Sequence, residues 1–460
     1  MSTVAKTSEL TAPTPRAQTV RSAPGVIAAI RVEVAKATSQ TPLRILLALC
    51  VLAPIGISVI MKAAPVRPTD TLFGRWVGTS GFATSLFVLN WAAAWGAPLL
   101  AGLFAGDIFT SEDRHGTWKT ILTRSMSRTR LFAGKAIAAA LCVWFGFALI
   151  GVCSVAAGLL VVGHSPLVGL SGQLIQPGRA LGLVLIAWLV TLVWTTAYVA
   201  LALLLSIATR SSMLGVLGPL VVAIILQLLQ IIDSGRIART VLLSTPADAF
   251  HGLFTDPAHA GPVVQAIITS LIYTAIFGVA AWLLLARRDF GAMSSTPTWP
   301  IRSAVQVGVV LAAIAAVLAG LGTVGPTALT ATRLNTSMAQ TFGNLTNVYY
   351  LWKTGQPGDA TIPWQAACDR GGVAGSMGGT PTSSGSADNK GAGDDWECII
   401  TDLRASDGLG ATTLDVNLKA NGCYEAQSPP GSVGALYVNN DKGKAFINPL
   451  FAFDGCFGTP

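Results

Sequence analysis

Charged side chains are scarce in this chain. Only 11% of its 460 residues are Asp, Glu, Lys or Arg, whereas 52% are apolar, and soluble domains carry roughly 25% charge. This composition excludes an ordinary soluble enzyme and predicts an integral membrane protein that is mainly α-helical. The basic excess lies in short loops between apolar runs, so it indicates membrane topology rather than binding to nucleic acid.

Motifs of the common catalytic sites are missing as well. The chain contains no G-x-x-x-x-G-K-[ST] sequence for nucleotide phosphates, no H-E-x-x-H and no G-x-S-x-G, so the sequence offers no familiar ATP, zinc-protease or serine-hydrolase site. We therefore predict no catalytic residue, no metal and no cofactor in this chain. Three of its histidines, His164, His251 and His259, are expected to face water in loops.

Seven long apolar runs are present instead, at roughly 43–62, 82–106, 134–162, 180–208, 212–232, 261–286 and 303–325. About 20 apolar residues suffice to cross the hydrocarbon core as a helix. With the N-terminus inside, the cytoplasmic segments hold 16 Lys and Arg, and the outer loops before the tail hold 6. This bias predicts a cytoplasmic N-terminus, and seven spans then place the C-terminal tail outside.

The tail, residues 333–460, holds four of the seven cysteines and 8 basic against 12 acidic residues. An even number of cysteines in a small extracytoplasmic domain predicts two disulfides, with three connectivities open, among Cys368, Cys398, Cys423 and Cys456. A zinc site is less favoured, because the tail has no histidine and no CxxC. Helical spacing in 333–353 and alternating segments in 396–456 predict a small α+β domain.

The loop between the second and third runs carries the most specific pattern. Glu112 and Asp113 precede Gly116-Thr117, a Leu122-x4-Ser127-Arg128 element follows, and Gly134-Lys135 enters the next run. Gly116 permits a turn, and Thr117 can cap the helix that follows. Without any analogy, a solvated basic loop that obeys the positive-inside rule explains the composition equally well.

These loop residues resemble the type 2 family of ABC-transporter permeases, which usually has proline where Ser125 stands. An amphipathic stretch at 26–36 resembles the family's elbow helix, and residues 233–260 resemble its outer re-entrant helices. The resemblance covers roughly residues 25–290. Together with the runs it divides the chain into a disordered cytoplasmic segment 1–24, an elbow helix 25–41, a six-span permease domain 42–290, a linker with the seventh span 291–332, and an extracytoplasmic domain 333–460.

The resemblance implies the membrane subunit of an exporter in a bacterial plasma membrane. Two permease chains, identical or paralogous, would pair in the lipid membrane, and separate ABC ATPase subunits would bind ATP and magnesium beneath them. The residues implied to couple to the ATPases are Arg31, Glu33, Lys36, Glu112, Asp113, Arg114, Gly116, Thr117, Arg128 and Lys135. Candidate residues of a substrate path in the second span are Phe87, Asn90, Trp91 and Trp95; Asn90 is a polar group in an apolar span and is expected to have a partner.

The spans themselves carry almost no charge, which argues against an ion-coupled carrier. An apolar or amphipathic substrate, such as a drug, a lipid or a hydrophobic peptide, fits better. The alternative is a membrane-anchored sensor or scaffold whose extracytoplasmic tail is the working part, although seven spans exceed what an anchor needs. An uncoupled channel is disfavoured, because rings of charged residues are lacking.

Overall fold

The computed structural model describes residues 25–64, 68, 71–118, 127–231, 242–288, 329–359, 362–371, 389–404, 411–419, 421–429 and 431–457. The predicted disordered segment 1–24 and the predicted seventh span, 303–325, lie outside these residues. Leu122 and Ser125 of the loop pattern also lie outside them. Within the described part the protein is mostly helical, and it ends in a β-sheet region.

Each of the first six apolar runs is helical. The helices are α1 (Val26–Ser39), α2 (Thr41–Ala63), α3 (Gly81–Trp91), α4 (Ala97–Ala105), α5 (Thr110–His115), α6 (Arg128–Ala157), α7 (Pro177–Thr209), α8 (Ser212–Ile231) and α9 (Gly261–Ala286). Among the described residues, five helical segments are long and apolar enough to cross a membrane: Thr41–Ala63, Gly81–His115, Arg128–Val162, Pro177–Thr209 and Gly261–Ala286. The apolar helix within α8 is shorter.

A π-helical turn, Ala92–Gly96, interrupts the segment that contains α3 and α4. Pro98 lies in the first turn of α4, and its ring nitrogen has no hydrogen to donate to the preceding turn. A wider π turn is one way in which a helix accommodates such a missing bond. The turn rotates everything that follows it, so the side chains of Trp91 and Trp95 do not have ordinary α-helical spacing.

Helices α4 and α8 pack with their backbones in contact. A β-carbon placed on Gly102 would lie 2.0 Å from the carbonyl oxygen of Val216, and one placed on Gly215 would lie 2.2 Å from the carbonyl oxygen of Gly106. Gly102 and Gly106 form a G-x-x-x-G pair, a pattern that lets apolar helices approach closely. This seam fixes the position of α8 beside the end of α4 that leads into α5.

Three connections lie at one end of the helical bundle, and we call them the domain-side connections. They are residues 71–80, which include the 3₁₀ turn Gly74–Trp76; residues 163–176, which form a hairpin of β1 (Leu167–Val168) and β2 (Leu174–Ile175); and residues 242–260, which include the 3₁₀ helix Thr245–Phe254. They also contact one another, since the Leu170 amide donates to the Phe254 carbonyl at 2.8 Å. That 3₁₀ helix lies in the stretch predicted as re-entrant.

The C-terminal domain combines one helix with an antiparallel sheet. Helix α10 (Ala331–Thr354) packs on a five-stranded sheet of order β3-β4-β5-β6-β9, and β7 pairs with β8. The strands are β3 (Trp364–Arg370), β4 (Gly393–Asp402), β5 (Ala411–Leu418), β6 (Cys423–Gln427), β7 (Tyr437–Asn439), β8 (Ala445–Ile447) and β9 (Ala452–Cys456). The predicted α+β character is confirmed, while β3 and β6 had no strand prediction.

The apolar stripe of α10 forms the core of this domain. Met338, Phe342 and Leu345 are buried, and the Phe342 ring lies 5.0 Å from that of Trp364 and 6.2 Å from that of Phe453. The alternating pattern of β5 buries every second residue against the same core. The stripe therefore packs in the interior, as its spacing indicates.

Two disulfides hold the sheet, one between Cys368 and Cys398 and the other between Cys423 and Cys456. Each joins residues that face each other across neighbouring antiparallel strands, β3 with β4 and β6 with β9. The prediction of two disulfides is confirmed, and the pairing left open by the sequence is settled. Each bridge closes about 30 residues of chain, which stabilises the domain by limiting its unfolded ensemble.

Candidate functional site

The charged turn at the end of α5 is shaped by a glycine. Gly116 ends the helix with φ 62, a left-handed conformation that glycine adopts without the steric cost of a β-carbon. The Thr117 amide then donates back to the Glu112 carbonyl at 3.2 Å. This compact turn points Glu112 toward α1 and α6 rather than into solvent, and its carboxylate becomes the centre of an ion-pair cluster.

Lys135 lies at the middle of that cluster and is fully buried. Its Nζ donates to Glu33 Oε1 at 2.6 Å, to Glu112 Oε1 at 3.1 Å and to the Ile108 carbonyl at 3.2 Å. The ammonium also lies 5.8 Å from the centre of the Phe109 ring. All three of its protons thus have acceptors, which is what a buried lysine requires.

Lys36 and Thr117 also contact Glu112. We call these five residues the Lys135 cluster: Glu33, Lys36, Glu112, Thr117 and Lys135. Lys36 donates to Glu112 at 3.0 Å from α1, and the Thr117 hydroxyl donates to the other carboxylate oxygen of Glu112. Thr117, predicted to cap the following helix, therefore bonds backwards to Glu112. The cluster joins α1, α5 and α6 through two carboxylates and two ammonium groups.

Gly134 explains why α1 can lie close enough to take part. A β-carbon on Gly134 would lie only 2.5 Å from that of Ala29, so any other residue would push α1 away from α6. The Gly134-Lys135 pair thus brings the backbone of α6 close to α1 and places a cation beside Glu33. The Gly134-Lys135 pattern of the sequence therefore has a structural role at the contact between α1 and α6.

A second set of contacts fastens the same turn to the end of α9. Asp113 accepts from Arg288 at 3.1 Å and from the Trp118 indole at 2.7 Å, and the Arg288 guanidinium lies 5.7 Å from the Trp118 ring centre. Arg128 donates to the carbonyls of Ala286 and Arg288 at 2.8 and 3.0 Å. Arg288 and Trp118 were not predicted as site residues; the local signal for Arg288 is the basic pair that follows the sixth apolar run.

The remaining predicted coupling residues lie on the surface. Arg114 pairs with Asp107 at 2.9 Å, and its side chain is 60% exposed. Gly116 is exposed beside it, as is His115, which was not among the predicted residues, and Arg31 is exposed on α1. Among the described residues, Arg31 joins no contact of the Lys135 cluster. The structure thus brings most of the predicted coupling residues together, and leaves Arg114, His115 and Gly116 as the outward tip of the turn.

The predicted path residues lie in α3 and in the π turn that follows it, and they do not share one environment. Phe87 is buried, whereas Trp91 and Trp95 are 50% and 37% exposed on the outside of the bundle. The Phe87 and Trp91 rings lie 6.4 Å apart. In the part of the chain that the structure describes, no group hydrogen-bonds the half-buried amide of Asn90, so its expected partner is not found there.

His251 does not face water, contrary to prediction. It is 4% exposed, and neither ring nitrogen has a hydrogen-bond partner among the described residues. The 3₁₀ helix places it beneath the C-terminal domain, beside the rings of Phe250 and Phe73. Burial, followed by the nearby charge of Lys419, lowers the pKa of His251 to about 3. The imidazole is therefore neutral at physiological pH.

Burial acts in the opposite sense on the carboxyl group of Asp454, which lies at the same end. It raises the pKa of Asp454 to about 6, although the neighbouring Arg75 opposes the rise. The ionised carboxylate therefore costs stability above about pH 6, and that cost falls as the pH drops through 6. Protonation of the buried His251 destabilises the fold as the pH drops below the ordinary pKa of histidine. Acidification therefore relieves the cost at Asp454 and adds a cost at His251.

Comparison with known proteins places residues 58–291 in a family described as a protein of unknown function, DUF2705. The chain belongs to this family. The matched region begins within α2, includes the Lys135 cluster residues Glu112, Thr117 and Lys135, and ends just after α9. No curated protein matches the chain.

Proposed function

We propose that this chain is the permease subunit of an ABC exporter in a bacterial plasma membrane, with the α5 turn in the cytoplasm and the C-terminal domain outside. The observation that carries the proposal is the Lys135 cluster. It fixes the charged α5 turn to α1 and α6, while Asp113 and Arg288 fix it to the end of α9. A turn held on both sides can pass a displacement from a partner to several helices at once.

The geometry divides the coupling residues into two groups. The buried members of the Lys135 cluster brace the turn and are occupied by contacts within the chain. Arg114, His115 and Gly116 are exposed at its tip and are free to touch a partner surface. We therefore assign the ATPase contact to the tip and the transmission of movement to the cluster, with ATP and magnesium bound by the partner ATPase.

An apolar or amphipathic substrate agrees with the surface of the helices. The outward faces of α3, of the π turn that follows it and of α8 carry large exposed apolar side chains, among them Trp91 and Trp95 on one side and Val221, Ile225 and Leu228 on the other. In a membrane these faces meet lipid, a second permease chain or the transported compound. The proposal assigns part of this surface to a path between two such chains.

Affinity purification tests the proposal directly. The tagged chain is purified in mild detergent, and the eluate is assayed for a stoichiometric ATPase and for ATP hydrolysis stimulated by lipids and apolar compounds. Arg114→Glu at the tip is expected to lose the ATPase, whereas Arg404→Glu, at an exposed ion pair of the C-terminal domain, retains it. Glu112→Ala should keep the ATPase bound but lose the stimulation.

A folded chain that brings down no nucleotide-binding subunit would contradict the proposal. The alternative, a membrane-anchored sensor or scaffold, would then be favoured, because the C-terminal domain has its own core and two disulfides. An ATPase that binds but responds to no lipid or apolar compound would be consistent with the permease assignment, but it would contradict the proposed substrate class.

A further inference from the structure

The C-terminal domain contacts all three domain-side connections at once. Asp454 pairs with Arg75 in the first connection at 3.2 Å. The Cys456 amide donates to the Leu170 carbonyl in the second at 3.0 Å. The Gln340 side chain donates to the Asp256 carbonyl in the third at 3.0 Å. These connections join α2 to α3, α6 to α7 and α8 to α9, so one rigid domain links the ends of six helices.

The carboxylate of Asp454 makes a buried polar contact at this interface. It accepts one hydrogen bond from the Phe73 amide and one from Arg75 Nε, each at 3.2 Å. The side chains of Arg75 and Asp454 are 6% and 1% exposed. Phe73 has a φ of 63, an unfavourable conformation for a bulky residue. The turn is thus held in a strained shape that presents two donors to one carboxylate.

Strand β9, which carries Asp454, is anchored by the residue before Asp454 and by the disulfide that follows it. Phe453 points toward Phe342 of α10, and Asp454, the next residue, points to the opposite face and reaches Arg75. The disulfide at Cys456 ties the end of β9 to β6. Movement of Arg75 relative to the domain cannot be absorbed by bending of β9, so it has to break the contact with Asp454.

Further contacts between the C-terminal domain and the connections join uncharged groups. Asn344 donates to the Ser171 carbonyl at 2.7 Å, and the Trp76 and Trp352 rings lie 5.8 Å apart. Gly172 is so close to α10 that a β-carbon there would lie 2.5 Å from the Thr341 carbonyl. Hydrogen bonds of this length do not survive a relative shift of a few ångströms. The domain and the three connections therefore move together or separate.

We propose that the C-terminal domain is a clasp that holds the domain-side ends of the helices in one arrangement, and that separation of Asp454 from Arg75 and Phe73 is the step that releases them. The role of this release in a transport cycle rests on the proposed exporter function. Helix ends that open an outward path have to move apart, and six of them are tied to one body here. The clasp thus regulates outward opening.

Cysteine labelling reports whether the clasp is closed. Ser171 is 5% exposed beneath α10, so a cysteine at this position reacts with a membrane-impermeant maleimide only when the domain lifts. In the Ser171→Cys background, Asp454→Asn leaves Arg75 buried without its counter-charge, and labelling should be at least about tenfold faster. Asp359→Asn removes a half-exposed partner of Arg404 in the same domain and should leave the rate unchanged.

Equal labelling of the Asp454→Asn and Asp359→Asn variants would overturn the clasp contact. Where Asp454→Asn fails to accumulate, the double variant Arg75→Gln, Asp454→Asn carries the test, because it removes both buried charges together. That double variant should label faster than the Ser171→Cys parent, and a rate equal to the parent's overturns the contact too. An intact Cys423–Cys456 bridge, shown by resistance to thiol reagents, verifies that the domain itself remains folded.

Trapping the ATPase tests the movement. With Asp454 intact, the Ser171→Cys chain in complex with its ATPase should label several times faster after vanadate trapping with ATP than without nucleotide. Unchanged labelling in a complex that demonstrably traps nucleotide overturns release as a step of the cycle. Failure to find any ATPase contradicts the proposed function, whereas the comparison of Asp454→Asn with Asp359→Asn still decides whether the clasp contact exists.

Discussion

At the scale of single residues, Lys135 is the one whose removal should cost most at the α5 end of the bundle. Lys135→Met leaves the carboxylates of Glu33 and Glu112, 11% and 9% exposed, without their shared cation. Loss of one partner from a buried ion pair costs about 3–5 kcal/mol. We expect the free energy of unfolding in detergent to fall by about that amount, measured by thermal or denaturant unfolding.

Arg114→Ala is the matched control for Lys135→Met. It also removes a basic residue paired with a carboxylate, but that pair is exposed, and exposed pairs contribute about 0–1 kcal/mol. In the double variant Glu112→Gln, Lys135→Met the loss should be smaller than the sum of the single losses, because one of the two carboxylates that lose Lys135 is then neutral. Equal losses for Lys135→Met and Arg114→Ala would show that the cluster contributes no stability.

The contacts of single residues were harder to predict from the sequence than their positions. The resemblance to ABC permeases pointed to Glu112, Gly116 and Lys135, yet the partners of Glu112 and Lys135 include residues 76 and 102 positions away in the chain. The contacts of Arg288 and Asp454 were not predicted, because a basic residue after an apolar run or an aspartate in a strand is compatible with many surroundings. Burial of His251 depends on a domain that covers it, which no local pattern near position 251 reveals.

At the scale of elements, the glycine seam between α4 and α8 should be intolerant of larger side chains. Gly215→Leu would place a side chain against the backbone of Gly106, where even a β-carbon lies 2.2 Å from the carbonyl oxygen. Since a backbone cannot rotate away as a side chain can, the helices have to separate. We expect a loss of about 3 kcal/mol or more, or failure to fold, measured by yield and thermal stability in detergent.

Gly278→Leu provides the control for the seam. It makes the same change in the middle of an apolar helix, α9, but no atom lies within 4 Å of a β-carbon at Gly278. This variant should keep the stability of the parent or gain slightly, because leucine favours helix more than glycine does. If the two variants unfold alike, the loss reflects helix hydrophobicity or expression rather than the seam.

Elements were more predictable than their contacts. Apolar length alone located α2, α6, α7 and α9, and helical spacing located α10. By contrast, the π turn after Trp91 and strands β3 and β6 went unpredicted. The short apolar segments of β3 and β6 derive their strand character from neighbours in the sheet, such as the pairing of Cys368 with Cys398, and a lone segment of five to seven residues does not specify it.

At the scale of the whole molecule, the two ends of the bundle are held by different kinds of contact. The α5 end is closed by the Lys135 cluster and by Arg288, all within the segments that the basic residues mark as cytoplasmic. The other end is covered by a disulfide-bonded domain, and stable disulfides belong to oxidising compartments. These two observations are independent of each other, and both support the proposed orientation, in which the α5 end lies in the cytoplasm.

The proposed orientation predicts opposite accessibility of the two ends in intact cells. Arg114→Cys, 60% exposed at its side chain, should be protected from an impermeant maleimide until the cells are permeabilised. Tyr437→Cys, 45% exposed on β7, should be labelled in both conditions. The parent chain gives the background, since Cys50, Cys142 and Cys153 lie in helices and the other four cysteines form disulfides. Labelling of Arg114→Cys, but not of Tyr437→Cys, in intact cells would invert the topology. The ATPase contact could then no longer be assigned to the α5 turn, because ATP is supplied from the cytoplasm.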